Sequence, residues 1–202
     1  MNPYDIIFYF YPQDTPLRRL LVLHSEKVRD KALSILHFAQ KNAPTLAMQT
    51  IDEQLVVQGA LLHDIGIGQT HAPSILCEGT EPYICHGTIG AQMLRCLPSQ
   101  LLDQWGLTAQ RQESLARICE RHTGAGLTAE DIICQNLPIT PVRDYVPESL
   151  EEQLVCLADK FFSKSGDPSK EKDLAAVRRS MMKFGADSLA RFDDMCDTFS
   201  LK

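Results

Sequence analysis

The sequence predicts an all-α fold, and three observations carry that prediction. Apolar residues recur at three- and four-residue steps over long segments: Leu17, Leu20, Leu21, Val28, Ile35 and Phe38 in one, Ile51, Leu55, Val56, Ala60 and Leu62 in the next. The segments open on capping signals, namely Asp14-Thr15 before Pro16, Thr50 or Asp52, Thr108, and Pro147-Glu148-Ser149. No alternating run between turn residues gives a hairpin signal, and no internal repeat is present.

Taken in order, Pro3 to Phe10 is an aromatic-rich short helix, with Tyr4, Phe8, Tyr9 and Phe10 as core cover. The next helix runs from Pro16 to about Lys41 and ends at Asn42 and Pro44. A second long helix ends at His63-Asp64, with Gly66 and Gly68 as its stop. Gln69 to Pro82 is a loop long enough to cover a site, and it carries His71. Helices follow from about Tyr83 to Leu97, from Ser99 to Trp105, from Thr108 to Arg121 and from Thr128 to Cys134. Asn136 to Pro147 is proline-rich loop, and a helix from Ser149 carries Leu150, Leu154, Val155, Leu157 and Ala158 up to Asp159. After Ser165-Gly166-Asp167-Pro168, a charged tail forms two helices split at Gly185. The domain expectation is therefore a body over 1–164 and a C-terminal helical extension over 165–202 that packs on it or on a partner copy.

Composition bounds the function. With 202 residues, 44% of them hydrophobic, one domain can bury a full core. A net charge of -6 argues against a broad nucleic-acid surface, which needs clustered Lys and Arg. The 7 cysteines are odd in number and form no C-x-x-C pair, which fits reduced thiols used as small hydrophobes. The N-terminus has no basic start, and Ile6 to Tyr11 is too short to span a bilayer, so the expectation is a cytoplasmic protein without a membrane partner.

Several polar residues interrupt apolar helix faces or stand at helix ends: His24, His63, Asp64, His86, His122 and Asp159. Each alone has an ordinary explanation as a satisfied core or capping residue. Buried aspartate, however, is rare without a cation, and Asp64 falls where the helix dipole disfavours an anion. His86 opens its helix, where the dipole favours the neutral, metal-competent imidazole. Four imidazoles and two carboxylates suit one or two ions of Fe, Mn, Co, Ni or Zn. His37 lies far round its helix from His24 and is left out of the set.

The order His, then His-Asp, then Asp resembles the HD-domain metal-dependent phosphohydrolases. The carriers are Leu23-His24-Ser25, Leu61-Leu62-His63-Asp64-Ile65-Gly66 and Leu157-Ala158-Asp159-Lys160. His86-Gly87-Thr88-Ile89-Gly90 and Arg121-His122-Thr123-Gly124 resemble members with two-metal sites, among them the HD-type symmetrical diadenosine tetraphosphate hydrolases and uncharacterised bacterial and archaeal HD proteins. Ile67-Gly68 and the lack of Gly-Tyr-Pro depart from the HD-type cyclic dinucleotide phosphodiesterases.

The resemblance implies a helical bundle with a buried metal centre and hydrolysis of a phosphate ester or anhydride of a small nucleotide-like substrate. It assigns His24, His63, Asp64 and Asp159 to one ion, with Asp64 bridging to a second held by His86 and His122. Lys160, Arg121 and Lys27 are the candidates for steadying phosphate, with Asp64, Lys160 and Arg121 expected at the chemistry. A homodimer is compatible with this reading. The rivals are a non-catalytic HD module that senses a nucleotide or metal, a di-iron oxygenase on the same scaffold, and a helical protein without metal.

Overall fold

The computed structural model describes residues 1–42 and 49–202, so Pro44, expected to close the first long helix, lies outside the described residues. A short helix α1 (Pro3–Phe10) is capped by Asn2, which accepts from the Tyr4 N–H. The long α2 (Pro16–Asn42) starts where Thr15 Oγ1 accepts the Arg18 N–H at 3.1 Å. Asp52, rather than Thr50, caps α3 (Glu53–Leu62) by accepting from Leu55. Then come α4 (His86–Arg95), α5 (Ser99–Trp105), α6 (Ala109–Arg121), α7 (Ala129–Cys134) and α8 (Leu150–Asp159). The tail forms α9 (Leu174–Met182) and α10 (Ala186–Thr198). Among the described residues no helix is long and apolar enough to cross a membrane.

Two apolar clusters meet at the middle of α2. One joins Val28, Leu36 and Ala39 of α2 to Val56 and Ala60 of α3 and to Leu154, Leu157 and Ala158 of α8. The other joins Ile6, Ile7 and Leu21 to Leu62, Ile65, Leu94 and Leu115. The polar residues of the sequence pattern sit where these clusters adjoin.

Three expectations need correction. In α1 the buried face is Ile6 and Ile7, while Phe8 and Tyr9 are exposed, because so short a helix presents only one face to its neighbours. Phe38 is also exposed; the inner stripe of α2 ends instead on Ala32, Leu36 and Ala39. The segment 69–82 is not plain loop. It holds a small sheet in which β1 (Thr70–Ala72) pairs antiparallel with β2 (Cys77–Glu78) and parallel with β3 (Glu81–Pro82). Leu76, at φ 67, turns the chain back, and Gly79 is needed because a Cβ there would lie 2.2 Å from the Gln69 carbonyl.

The tail is part of the main core. Val177 and Met181 of α9 and Phe192, Met195 and Cys196 of α10 are buried in the cluster of α2, α3 and α8. The first tail helix begins at Leu174, six residues past Pro168, because Asp173 accepts the Ala176 N–H and sets the start there. Arg191 fastens α10 to the body by donating to the carbonyls of Ala125 and Gly126 and to Asp131.

Candidate metal centre

Four helix ends and the middle of one long helix converge on Asp64. His24 comes from the inner stripe of α2; His63 and Asp64 follow α3; His86 opens α4; His122 follows α6; Asp159 ends α8. All six are buried. Asp64 divides the set between its two oxygens. Its Oδ2 lies 3.3 Å from His24 Nε2 and 3.2 Å from His63 Nε2, while its Oδ1 lies 3.5 Å from His86 Nε2 and 3.4 Å from His122 Nε2. Asp159 Oδ1 completes the first group, 3.0 Å from His24 and 3.5 Å from His63.

The ring orientations are set locally. His63 Nδ1 donates to the Ala60 carbonyl, His86 Nδ1 to Tyr83 and His122 Nδ1 to Cys119, each three residues back and 2.6–2.7 Å away. With Nδ1 carrying a proton, the Nε2 of each ring in its neutral form presents a lone pair to the centre. His86 and His122 then face each other with Nε2 atoms 3.0 Å apart. Two lone pairs at that distance repel unless a cation lies between them. Asp64 Oδ1 and His63 Nε2 are buried with no hydrogen-bond donor. Separations of 3.0–3.5 Å among these atoms also match neighbouring ligands around an ion with bonds of about 2.1 Å. The residues therefore fit a divalent ion, in two groups that share Asp64.

Burial, reinforced by the Lys164 ammonium, pushes His24 down to about 4. Burial, reinforced by His122, pushes His86 down to about 3, which keeps this imidazole neutral. His122 is lowered by burial as well. For His63, burial is outweighed by the neighbouring Asp64 and Asp159 carboxylates, which hold it up at about 9. Burial would raise Asp64 and Asp159, but His63 and Lys164 around the first, and Lys160 and Lys164 around the second, hold both well below the carboxylate range. The centre is thus anionic on its carboxylates and neutral on His24, His86 and His122, while His63, charged beside the carboxylates, would release its proton when a cation takes that place.

Tight backbone contact brings the helix ends together. Gly66 has φ -84, so it is not the left-handed helix stop expected of it. It is needed for space: a Cβ there would lie 2.2 Å from the His86 carbonyl oxygen and 2.5 Å from the Gly90 nitrogen. Tyr11 pins the same turn, donating to the Ile65 carbonyl at 2.6 Å and accepting the Gly68 N–H at 3.0 Å. Gly66→Ala is expected to push α4 away from α3. The variant should melt at lower temperature and bind metal more weakly, read by a thermal melt and a metal titration on the same preparation.

The basic candidates are engaged differently from one another. Lys160 Nζ donates to Asp159 Oδ2 at 2.6 Å and to the His122 carbonyl at 2.9 Å, which makes it a tie between two members of the centre. Arg121 is turned away, its guanidinium 3.0 Å from Glu152 and 2.8 Å from Glu148, where it joins α6 to the start of α8. Lys27 and His71 do not line the cavity above the centre, and His71 is exposed. Sequence reasoning missed Lys164, whose ammonium lies 2.6 Å from Asp64 Oδ2 and 4.0 Å from Asp159 Oδ1. It also missed Tyr11.

The centre opens into a cavity of about 630 Å³. Its walls come from the 72–84 segment, the turn after His122, α7, the stretch from Asp159 to Ser165, and the two tail helices.

An all-α bundle with a buried His/Asp centre at the floor of a cavity defines the class. The HD domain family matches residues 24–163, from the first histidine of the centre to just past its last aspartate, and the chain belongs to that superfamily of metal-dependent phosphohydrolases. An uncharacterised protein of Methanocaldococcus jannaschii is 37% identical over 141 residues, covering 69% of this chain and 68% of its own. A protein of Picrophilus torridus named tRNA (cytidine(56)-2'-O)-methyltransferase is 34% identical over 164 residues, 81% of this chain. One of the same name from Thermoplasma volcanium is 28% identical over 178 residues, 88% of this chain. The chain spans only 40% and 42% of the length of these two relatives. No solved structure matches.

Proposed function

We propose that this chain is a metal-dependent phosphohydrolase that cleaves a phosphate ester or anhydride of a small nucleotide-like substrate. The observation that carries this reading is the division of Asp64, with Oδ2 toward His24 and His63 and Oδ1 toward His86 and His122. One carboxylate set between two ligand groups is what a pair of ions requires of the protein. Two ions held there would activate water near neutral pH and offset charge on the phosphoryl oxygens.

The chain's own residues do the rest. His24, His63, Asp64 and Asp159 would hold one ion, and Asp64, His86 and His122 the other. Lys160 fixes Asp159 and the His122 turn in register. Lys164, at the cavity floor beside Asp64, is placed to meet a phosphate oxygen when the carboxylates are taken up by metal. The apolar lining limits water around the reacting group. The tRNA in the names of two relatives supports a nucleotide-derived substrate. The net charge of -6 favours a small molecule over the polymer. A cytoplasmic setting and a homodimer belong to the same reading.

The test is phosphate release from nucleotides, dinucleoside polyphosphates and sugar phosphates with Mn, Co, Ni, Fe, Zn and Mg. Turnover with redox-inert metal under anaerobic conditions is expected, and would exclude the oxygenase. Failure of every ester with every metal would favour a sensing module. In the double variant H86A/H122A, metal per chain should fall from two ions to one. Unchanged stoichiometry would refute the paired centre.

A further inference from the structure

The cavity above the centre is built unequally. On one side stand the metal-type ligands and the lysines that face them. On the other stand residues that lie beyond the stretch matched by the HD family: Lys172, Met181, Phe184, Ser188 and Arg191. The extension therefore supplies part of the wall of a cavity that the matched region does not complete alone.

Four cations line this cavity: Lys160, Lys164, Lys172 and Arg191. Lys160 is paired with Asp159, Lys164 with Asp64 and Arg191 with Asp131. Lys172 differs. Among the described residues its ammonium meets only the carbonyl oxygens of Lys160 and Phe162, each at 3.4 Å, one and three residues past Asp159 in the chain. Carbonyl oxygens orient an ammonium without neutralising it. Burial pushes this lysine down, the Asp159 carboxylate offsets part of that, and the nearby Lys160 and Lys164 charges add to the lowering. An anion arriving at the centre would relieve both effects. Its backbone is held as well, the Lys172 N–H donating to Phe161 at 2.8 Å.

Phe184 lines the same cavity yet is 59% exposed, an uncovered aromatic face at the mouth. Phe162, Leu127 and Leu137 add apolar wall, and Ser188 and Gln135 add hydroxyl and amide groups. A phosphate alone would need none of this, and 630 Å³ is several times its size. A flat organic group with polar edges, attached to a phosphate, uses all of it.

We propose that the C-terminal extension is the substrate-selecting half of the site, with Lys172 holding a non-reacting phosphate oxygen and Phe184 covering the base of a nucleoside phosphate. The assignment rests on the hydrolase reading for the position of the phosphate, and it is tested by binding so that the two can fail separately. The full-length, Mn-loaded protein is titrated with inorganic phosphate and with the methylenephosphonate analogue of adenosine 5′-monophosphate, whose P–C bond does not hydrolyse.

The wild type should bind the analogue more tightly than phosphate. F184A should weaken the analogue by about tenfold, within the range for one aromatic–base stack, and leave phosphate unchanged. K172Q should weaken both ligands by about tenfold, as for one charge-assisted hydrogen bond, with the metal content unaltered. K172R should restore most of that loss. Equal affinity of the wild type for the two ligands, or an F184A variant that keeps its preference, overturns the role of Phe184. Undiminished phosphate binding in K172Q overturns the role of Lys172. If the analogue behaves as expected while no ester is hydrolysed, the pocket assignment stands and the hydrolase reading falls. If nucleotides are hydrolysed while both variants bind as the wild type does, the pocket assignment falls alone.

Discussion

Alanine at Asp64 should lower phosphate-ester turnover by at least about 10³-fold, about 4 kcal/mol of transition-state stabilisation. The size follows from its position. Among the described residues no other side chain belongs to both ligand groups, so its loss would remove a ligand from each ion at once. The purified variant should carry little metal by elemental analysis. Its far-UV circular dichroism should stay close to wild type, because the helices around the centre are held by the apolar clusters on either side. Asp64→Asn keeps the shape and removes the charge, and should show the same loss. Full turnover in either variant would end the case for a bridging carboxylate.

Alanine at Phe192 should have the largest effect on stability. The ring is fully buried and belongs to α10, outside the residues matched by the HD family. Phe→Ala in a core costs about 3–5 kcal/mol, a large part of the stability of an ordinary domain. For a chain of this size the midpoint should fall by on the order of 10 °C. The shape of the melt is as informative as its midpoint. A single transition shifted as a whole means that the extension folds with the body, as the shared cluster implies. A small early transition followed by an unshifted main one would mean that the extension is only docked on it.

How much of this was legible beforehand depended on whether the signal was local. Helical periodicity and capping residues are local, and they placed most helices within a few residues. The centre was legible because histidines and aspartates stood at apolar helix ends, where a side chain without a partner is conspicuous. Contacts made across long stretches of chain left no such trace. Tyr11 reaches Ile65 across 54 positions and looks like any aromatic near a terminus. Lys164 follows a helix end in a stretch without periodicity. Arg121 misled by adjacency: neighbours on a helix diverge by about 100°, so a residue beside His122 points elsewhere, here to Glu148 and Glu152. The small sheet was invisible because strands of two or three residues are too short to show alternation.

The three tethers from Nδ1 to the carbonyl three residues back have a further consequence. Metal sites commonly aim their histidines with a carboxylate from elsewhere in the fold. Here three rings are aimed by their own main chain, so no distant acid has to persist for the aim to survive drift in the surrounding sequence. What cannot drift is the pitch of each terminal turn. A proline or an added residue inside Ala60–His63, Tyr83–His86 or Cys119–His122 would swing an imidazole off target even if every ligand kept its identity.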